Sequence, residues 1–229
     1  MSSPSRFGPD GGSADTDLSG FRHGRVPRLV RERQLLALAE VLFAERGFSA
    51  ASMDELARRA GISKPVIYAL VGSKDNVFRA CMDRVAEGMA ARVVEAVRTE
   101  IDPRRRLLAG AQAWFDFIAD HRALWTALLA GGDTPLGAEA AEIRRRQARV
   151  IAGLLADDAD DTDVEASSVL IDAIAHLIVG AFESIGRWSA EHPELGPAAL
   201  GELCTAVLFP GLMALNEAPP VGWESGTGT

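Results

Sequence analysis

The stretch Ser52–Lys74, SMDELARRAGISKPVIYALVGSK, constrains the fold of this chain more tightly than any other. It reads as two short helices joined by a tight turn. Ser52 and Glu55 stand three apart, the capping-box spacing that starts a helix. Leu56, Ala57 and Ala60 form its apolar stripe, and Ala57 is small enough to let a second helix cross closely. Gly61 supplies the left-handed residue on which such a helix ends. Ile62 anchors the turn and Ser63 is placed to cap the next helix. Pro65 lies in that helix's first turn, where no backbone N–H is needed. Ile67, Leu70 and Val71 return to a core. This order is the spacing of a helix-turn-helix, whose second helix enters a DNA major groove. A helical hairpin that merely packs would show many of the same residues, so the flanks matter.

Before this stretch, Leu35, Leu38, Ala39, Leu42 and Phe43 recur at helical spacing. That helix closes at Arg46-Gly47, and Phe48 is expected to fold back onto the core. A fourth helix starts at Ser73. Together Leu35–Phe78 resembles the TetR family of transcriptional regulators, on the string A-x-x-A-G-I-S-x-x-x-I-Y followed by Ser73-Lys74. The resemblance covers residues 28–80, about a quarter of the chain. It implies an all-α protein: an N-terminal three-helix DNA-binding domain, then a helical ligand-binding and dimerisation domain. The expected division is a disordered tail at 1–24, the helix-turn-helix domain at 25–73, the effector and dimerisation domain at 74–217, and a frayed tail at 218–229.

Charge supports a one-ended meeting with phosphates. The net charge is −8, which argues against non-specific nucleic-acid binding by the whole molecule. From Arg22 to Ala80, however, 11 Lys/Arg face 6 Asp/Glu, whereas from Cys81 onward 12 face 23. A basic head on an acidic body fits double-stranded DNA at one end. Arg22, His23, Arg25 and Arg28 precede the first helix either as a solvated lead-in or as an arm along the DNA.

Within the second helix of the motif, Ser63, Lys64, Pro65 and Val66 lie at the end that dips deepest into a groove. Lys64 can donate to a guanine edge and Val66 can pack on a thymine methyl. Ser52 and the helix end behind it offer backbone N–H groups to a phosphate. By resemblance, Tyr68 and Lys74 are further phosphate partners. The chain departs from the family pattern just after Tyr68, where Ala69 and Leu70 replace a polar or aromatic residue and a histidine. Two backbone contacts are thereby lost, and either binding is weaker than the family norm or the arginines before the first helix compensate.

The rest reads as helix after helix: Ser73–Arg98, Arg104–Asp120, Leu136–Ala156, Val164–Glu191 and Ala198–Asn216, with Pro210-Gly211 expected to kink the last. The resemblance implies a homodimer through the last two long helices, although a monomeric core would show the same pattern. The aromatic residues Trp114, Phe115, Phe117, Trp125 and Phe182 are either plain core or the lining of an effector cavity. On the cavity reading the effector contacts are Trp114, Phe117, Ile118, His121, Trp125, Ile178 and Phe182, with Asp116, His121, His176 or Glu183 as polar groups.

No catalytic residue, cofactor or metal site is expected. None of the four histidines has a carboxylate or cysteine at metal-ligand spacing, and no phosphate loop or nucleophile motif occurs. The acidic loop 157–163 lacks the glycine and terminal glutamate of a calcium loop. The triplets Arg104–Arg106 and Arg144–Arg146 sit amid acidic neighbours and read as solvated faces. Cys81 and Cys204 fit two buried free thiols and a cytoplasmic setting. The apolar run Val169–Ile185 carries Asp172, His176 and Glu183, so no membrane partner is expected. The function expected is a ligand-responsive, sequence-specific regulator, by family default a repressor released from a palindromic operator by a small lipophilic molecule. The rivals are a constitutive DNA-binding protein, and a helical enzyme or carrier with a look-alike head.

Overall fold

Three glycines with positive φ, Gly47, Gly61 and Gly72, separate the helices of the N-terminal part, and no other residue type takes that conformation among the described residues. The computed structural model describes residues 26–122, 125, 135–156 and 164–217. The lead-in residues Arg22, His23 and Arg25, the breaker at 131–134, the acidic loop 157–163 and both tails lie outside them. The described elements are α1 (Arg28–Ala50), α2 (Met53–Ala60), α3 (Lys64–Val71), α4 (Lys74–Arg98), α5 (Pro103–Asp120), α6 (Pro135–Ala156), α7 (Val164–Trp188), a 3-10 turn (Ser189–Glu191) and α8 (Pro197–Glu217). The fold is all-α.

Each junction has a local cause. In α1 the helical path breaks at Gly47 (φ 70°, ψ 169°), and Phe48 turns back to meet Phe78 with ring centroids 4.9 Å apart. Phe43 completes that cluster, 5.0 Å from Phe78. The expected lead-in residue Arg28 is already helical and pairs with Glu32 one turn on, at 2.6 Å. Ser52 caps α2, its Oγ accepting from Glu55 N–H at 3.1 Å. The Glu55 carboxylate, expected to close the capping box, is held instead by Arg58 and Arg59. Gly61 is left-handed at the end of α2, and its N–H donates to the carbonyls of Ala57 and Arg58. Ser63 sits at the N-cap of α3 but makes no side-chain capping bond, which corrects the expected role of its hydroxyl.

Residues divide into two units by packing: one runs to Val85 and includes Asp120–Leu136, the other holds Ala86–Ala119 and continues from Gly137. In the first, α1 packs on α2 and α3, and α2 on α3. Its core is Leu35, Ala39, Leu42, Phe43, Leu56, Ala57, Ile67, Val77, Phe78 and Met82. Leu70 and Val71, expected to join that core, are only half-buried, because the short α3 keeps one face outward. Ion pairs join its helices: Arg59 reaches Glu45 of α1 at 2.6 Å and Arg84 reaches Glu40 at 2.9 Å.

In the second unit, α7 packs on α8. Trp114, Phe115, Phe117, Ile118, Ile178, Val179 and Phe182 are buried. The helix α8 runs through Pro210 to Glu217. Cys81 and Cys204 are buried free thiols. Burial pushes the Cys204 thiol up to about 11, and that of Cys81 further still. The segments Ser168–Glu191 and Pro197–Asn216, both of mean hydropathy 1.7, are long and apolar enough to cross a membrane by length and composition alone. Only 28% and 22% of those segments is buried within the single chain. Their outward faces carry Val169, Leu177 and Trp188 on α7, and Leu203, Val207 and Met213 on α8.

Candidate nucleic-acid interface

The outward face of α3 follows from one buried residue. Ile67 is fully buried and fixes the rotation of the helix. Ser63, Lys64, Pro65, Val66, Tyr68 and Ala69 are then all exposed. Val66 and Tyr68 expose 43% and 46% of their surface. Of the sequence-predicted contact residues, Ser63, Lys64, Pro65, Val66 and Tyr68 are thus exposed at α3.

Their electrostatic environment was not legible in the sequence. The Lys64 ammonium is paired with Asp54 of α2 at 2.8 Å, across an exposed gap. The hydrogen bond to Asp54 raises the Lys64 pKa, so the lysine stays charged. Asp54 was missed because only the crossing of α2 over α3 brings it to Lys64. Lys74, half-buried, donates to the Ser49 carbonyl at 3.2 Å. Its ammonium also lies 4.5 Å from the centre of the Phe48 ring. It therefore ties the start of α4 to the end of α1 beyond the Gly47 break, and one face of the ammonium is already used. Ser52 is exposed at the N-terminus of α2. Arg59, not singled out from sequence, clamps α2 to α1 through Glu45 and Glu55. The hydrogen bond from Arg59 lowers the Glu45 pKa, and those from Arg58 and then Arg59 lower that of Glu55.

The predicted effector residues fall into two groups. Trp114, Phe117, Ile118, Ile178 and Phe182 are buried in the second unit. There Trp114 meets Phe182 edge-on at 5.7 Å, and Phe115 lies 5.5 Å from the same ring. His121 and Trp125 belong to the first unit. Of the polar candidates, Asp116 is exposed, and His176 is exposed beside Asp172. Glu183 is buried and paired with Arg144 at 2.8 Å. Burial raises its pKa against the opposing pull of Arg144 and Arg187. The arginine triplets are engaged by acids: Arg104 with Glu202, and Arg145 and Arg146 with Glu142. Among the described residues no group of three or more His, Cys, Asp or Glu side chains could hold a metal ion.

Comparison with known proteins places this geometry. Residues 35–81 match the family model of bacterial regulatory proteins, tetR family. Residues 103–209 match that of the tetracyclin repressor-like C-terminal domain. A TetR-like transcriptional regulator from Rhodococcus sp. RHA1 is 30% identical, with a TM-score of 0.61 over 82% of this chain and 99% of that one. The chain belongs to the TetR family. Another TetR-family regulator of known structure, from Streptomyces coelicolor, is 25% identical over 84% of each chain with a TM-score of 0.63. The HTH-type transcriptional activator FasR of Mycolicibacterium smegmatis is 46% identical over 100 residues, 43% of this chain and 46% of FasR. The HTH-type transcriptional regulator EthR of Mycobacterium tuberculosis is 32% identical over 107 residues. The matches span about half the length of these two relatives. In this TetR-family chain, α2 and α3 are the helix-turn-helix, and α5–α8 fall in the region matched to the C-terminal domain.

Proposed function

We propose that this chain is a homodimeric, sequence-specific DNA-binding regulator whose operator affinity is lowered by a small, largely apolar ligand. The observation that carries the DNA-binding half is the outward face of α3, where Ser63, Lys64, Pro65, Val66 and Tyr68 surround a single buried anchor, Ile67. Lys64 and Val66 read base edges; Tyr68, Lys74, Ser52 and the α2 N-terminus hold phosphates. Lys64 exchanges its exposed pair with Asp54 for the DNA, which costs little because such pairs are weak and screened.

The dimer reading is supported by the low burial of α7 and α8. Their outward apolar faces are the size and kind of surface that a second copy covers. A two-fold dimer sets the two α3 helices about 34–36 Å apart, one turn of duplex, so the operator is palindromic. The buried aromatic set around Trp114 and Phe182 supports an apolar ligand in the body. Its binding would favour a conformer with the wrong head spacing, and a coupling of roughly 1–3 kcal/mol suffices for a switch. Repression is the family default, whereas FasR is an activator by name, so the sign of the effect needs its own measurement.

The test is selection from random duplex DNA by the purified full chain at near-physiological salt. An enriched palindrome is expected, and transcription from a template carrying it then reads the sign of regulation. No enrichment would overturn the DNA-binding reading. Recovery of the native chain in the membrane fraction would overturn the assignment of α7 and α8 to a dimer.

A further inference from the structure

Among the described residues, Gln147 Oε1 on α6 and Thr205 Oγ1 on α8 are side-chain atoms of the second unit buried without a hydrogen-bond partner. A hydroxyl both donates and accepts, so Thr205 says little about what would meet it. Gln147 says more. It is 4% exposed, and its Nε2 faces Met89 Sδ of α4 at 3.9 Å, a long approach to a weak acceptor. An amide carries two donors and a doubly accepting carbonyl. Burying them unmet costs free energy that a leucine of similar size would not.

The surroundings of Gln147 are apolar on one side and already matched on the other. Met89 is 1% exposed and Phe117 7%, and a Cβ added at Gly88 would stand 3.4 Å from the Phe117 ring. One turn before Gln147 on the same face of α6, Arg144 is occupied by Glu183 at 2.8 Å. The charged groups nearby therefore have partners, and the carbonyl of Gln147 does not.

We propose that Gln147 is the polar anchor of the body's ligand site, and that the ligand is a largely apolar molecule bearing one hydrogen-bond donor, a hydroxyl or N–H, for Gln147 Oε1. This rests on the reading that the body holds a ligand. A donor-free molecule of the same size would leave the carbonyl unmet, and buried groups left unpaired discriminate strongly.

The probes are decan-1-ol and its isomer 1-methoxynonane, equal in atoms and different in the donor. Calorimetric melting of the full chain with each, for wild type and Gln147→Leu, reads the preference. Wild type is expected to bind the alcohol at least about tenfold more tightly than the ether. Gln147→Leu is expected to melt higher without ligand and to bind the two isomers alike. Gln147→Met serves as the second variant if the leucine chain does not fold. Equal binding of both isomers by wild type, binding of neither, or an alcohol preference kept by the variants would each overturn the proposal. Operator binding in the same samples separates this from the regulatory reading. Alcohol bound through Gln147 with unchanged DNA affinity leaves the site standing and sinks the effector role. Both isomers binding alike and both releasing DNA does the reverse.

Discussion

Lys64 and Tyr68 stand four residues apart on the exposed face of α3, and the proposed function gives them different roles on DNA. Lys64→Ala removes a base-reading donor, so discrimination between operator and mutated operator should fall by about 1–3 kcal/mol. Tyr68→Phe removes one phosphate hydrogen bond, so affinity should fall by about 1 kcal/mol alike on every sequence. Titrations of both variants on matched and mismatched duplexes check this, and a uniform loss for Lys64→Ala would remove its reading role. Ser52 is a structural residue first. Its Oγ takes the Glu55 N–H, so Ser52→Ala should cost about 1 kcal/mol of stability in a denaturant titration. Glu183 adds a pH dependence. Burial raises its folded pKa, so the folded chain holds that proton more tightly than the unfolded one. Its contribution to stability is full below the ordinary carboxylate range and is lost as the pH rises through the raised value. The melting temperature of Glu183→Gln should therefore gain on wild type as the pH rises from the ordinary carboxylate range through the raised value. A difference that shrinks with rising pH would contradict the burial argument.

Among the elements, α3 and α7–α8 illustrate two ways a helix uses an exposed face. The helix α3 has eight residues and is seated by Ile67, which leaves Lys64, Pro65, Val66 and Tyr68 exposed. In α7 and α8 the exposed residues include Leu177 at 58% and Val207 at 68%, on helices with few charges. Such faces are costly to leave in water, by about 25 cal/mol per Å² of apolar area. Val207→Glu places a charge in the proposed interface. It should shift the protein from dimer to monomer in sedimentation equilibrium and weaken operator binding more than one head's contacts explain. A variant that remains dimeric and binds DNA normally would move the interface elsewhere. The helix boundaries follow from capping and glycine geometry, and here the pattern was legible. Gly47 and Gly61 break the chain where the sequence implies, Gly72 adds a third break, and Ser52 caps as its spacing implies.

For the whole molecule, charge segregation decides how it approaches DNA. A chain with a net charge of −8 still presents more bases than acids between Arg22 and Ala80. Operator affinity should therefore fall steeply with salt, the slope of log K growing by about 0.9 for each phosphate neutralised. Lys74→Ala should flatten that slope by less than one full contact, because its ammonium is partly committed to Ser49 and Phe48. Binding titrations at several salt concentrations check this, and a loss of one whole unit would show that Lys74 is released to the DNA.

The sequence alone determined the all-α class, the helix-turn-helix and the positions of Ser63–Val66 and Tyr68 around Ile67 on α3. Those features rest on interactions within three or four residues, which spacing records directly. The tertiary structure alone decided which charges meet. Asp54 reaches Lys64 only because α2 crosses α3, and Arg59 finds Glu45 fourteen residues back. Gln147 comes to face Met89 from 58 residues away. Such pairings depend on how separate helices are rotated and set against each other, a sum of many small packing terms that no local pattern carries.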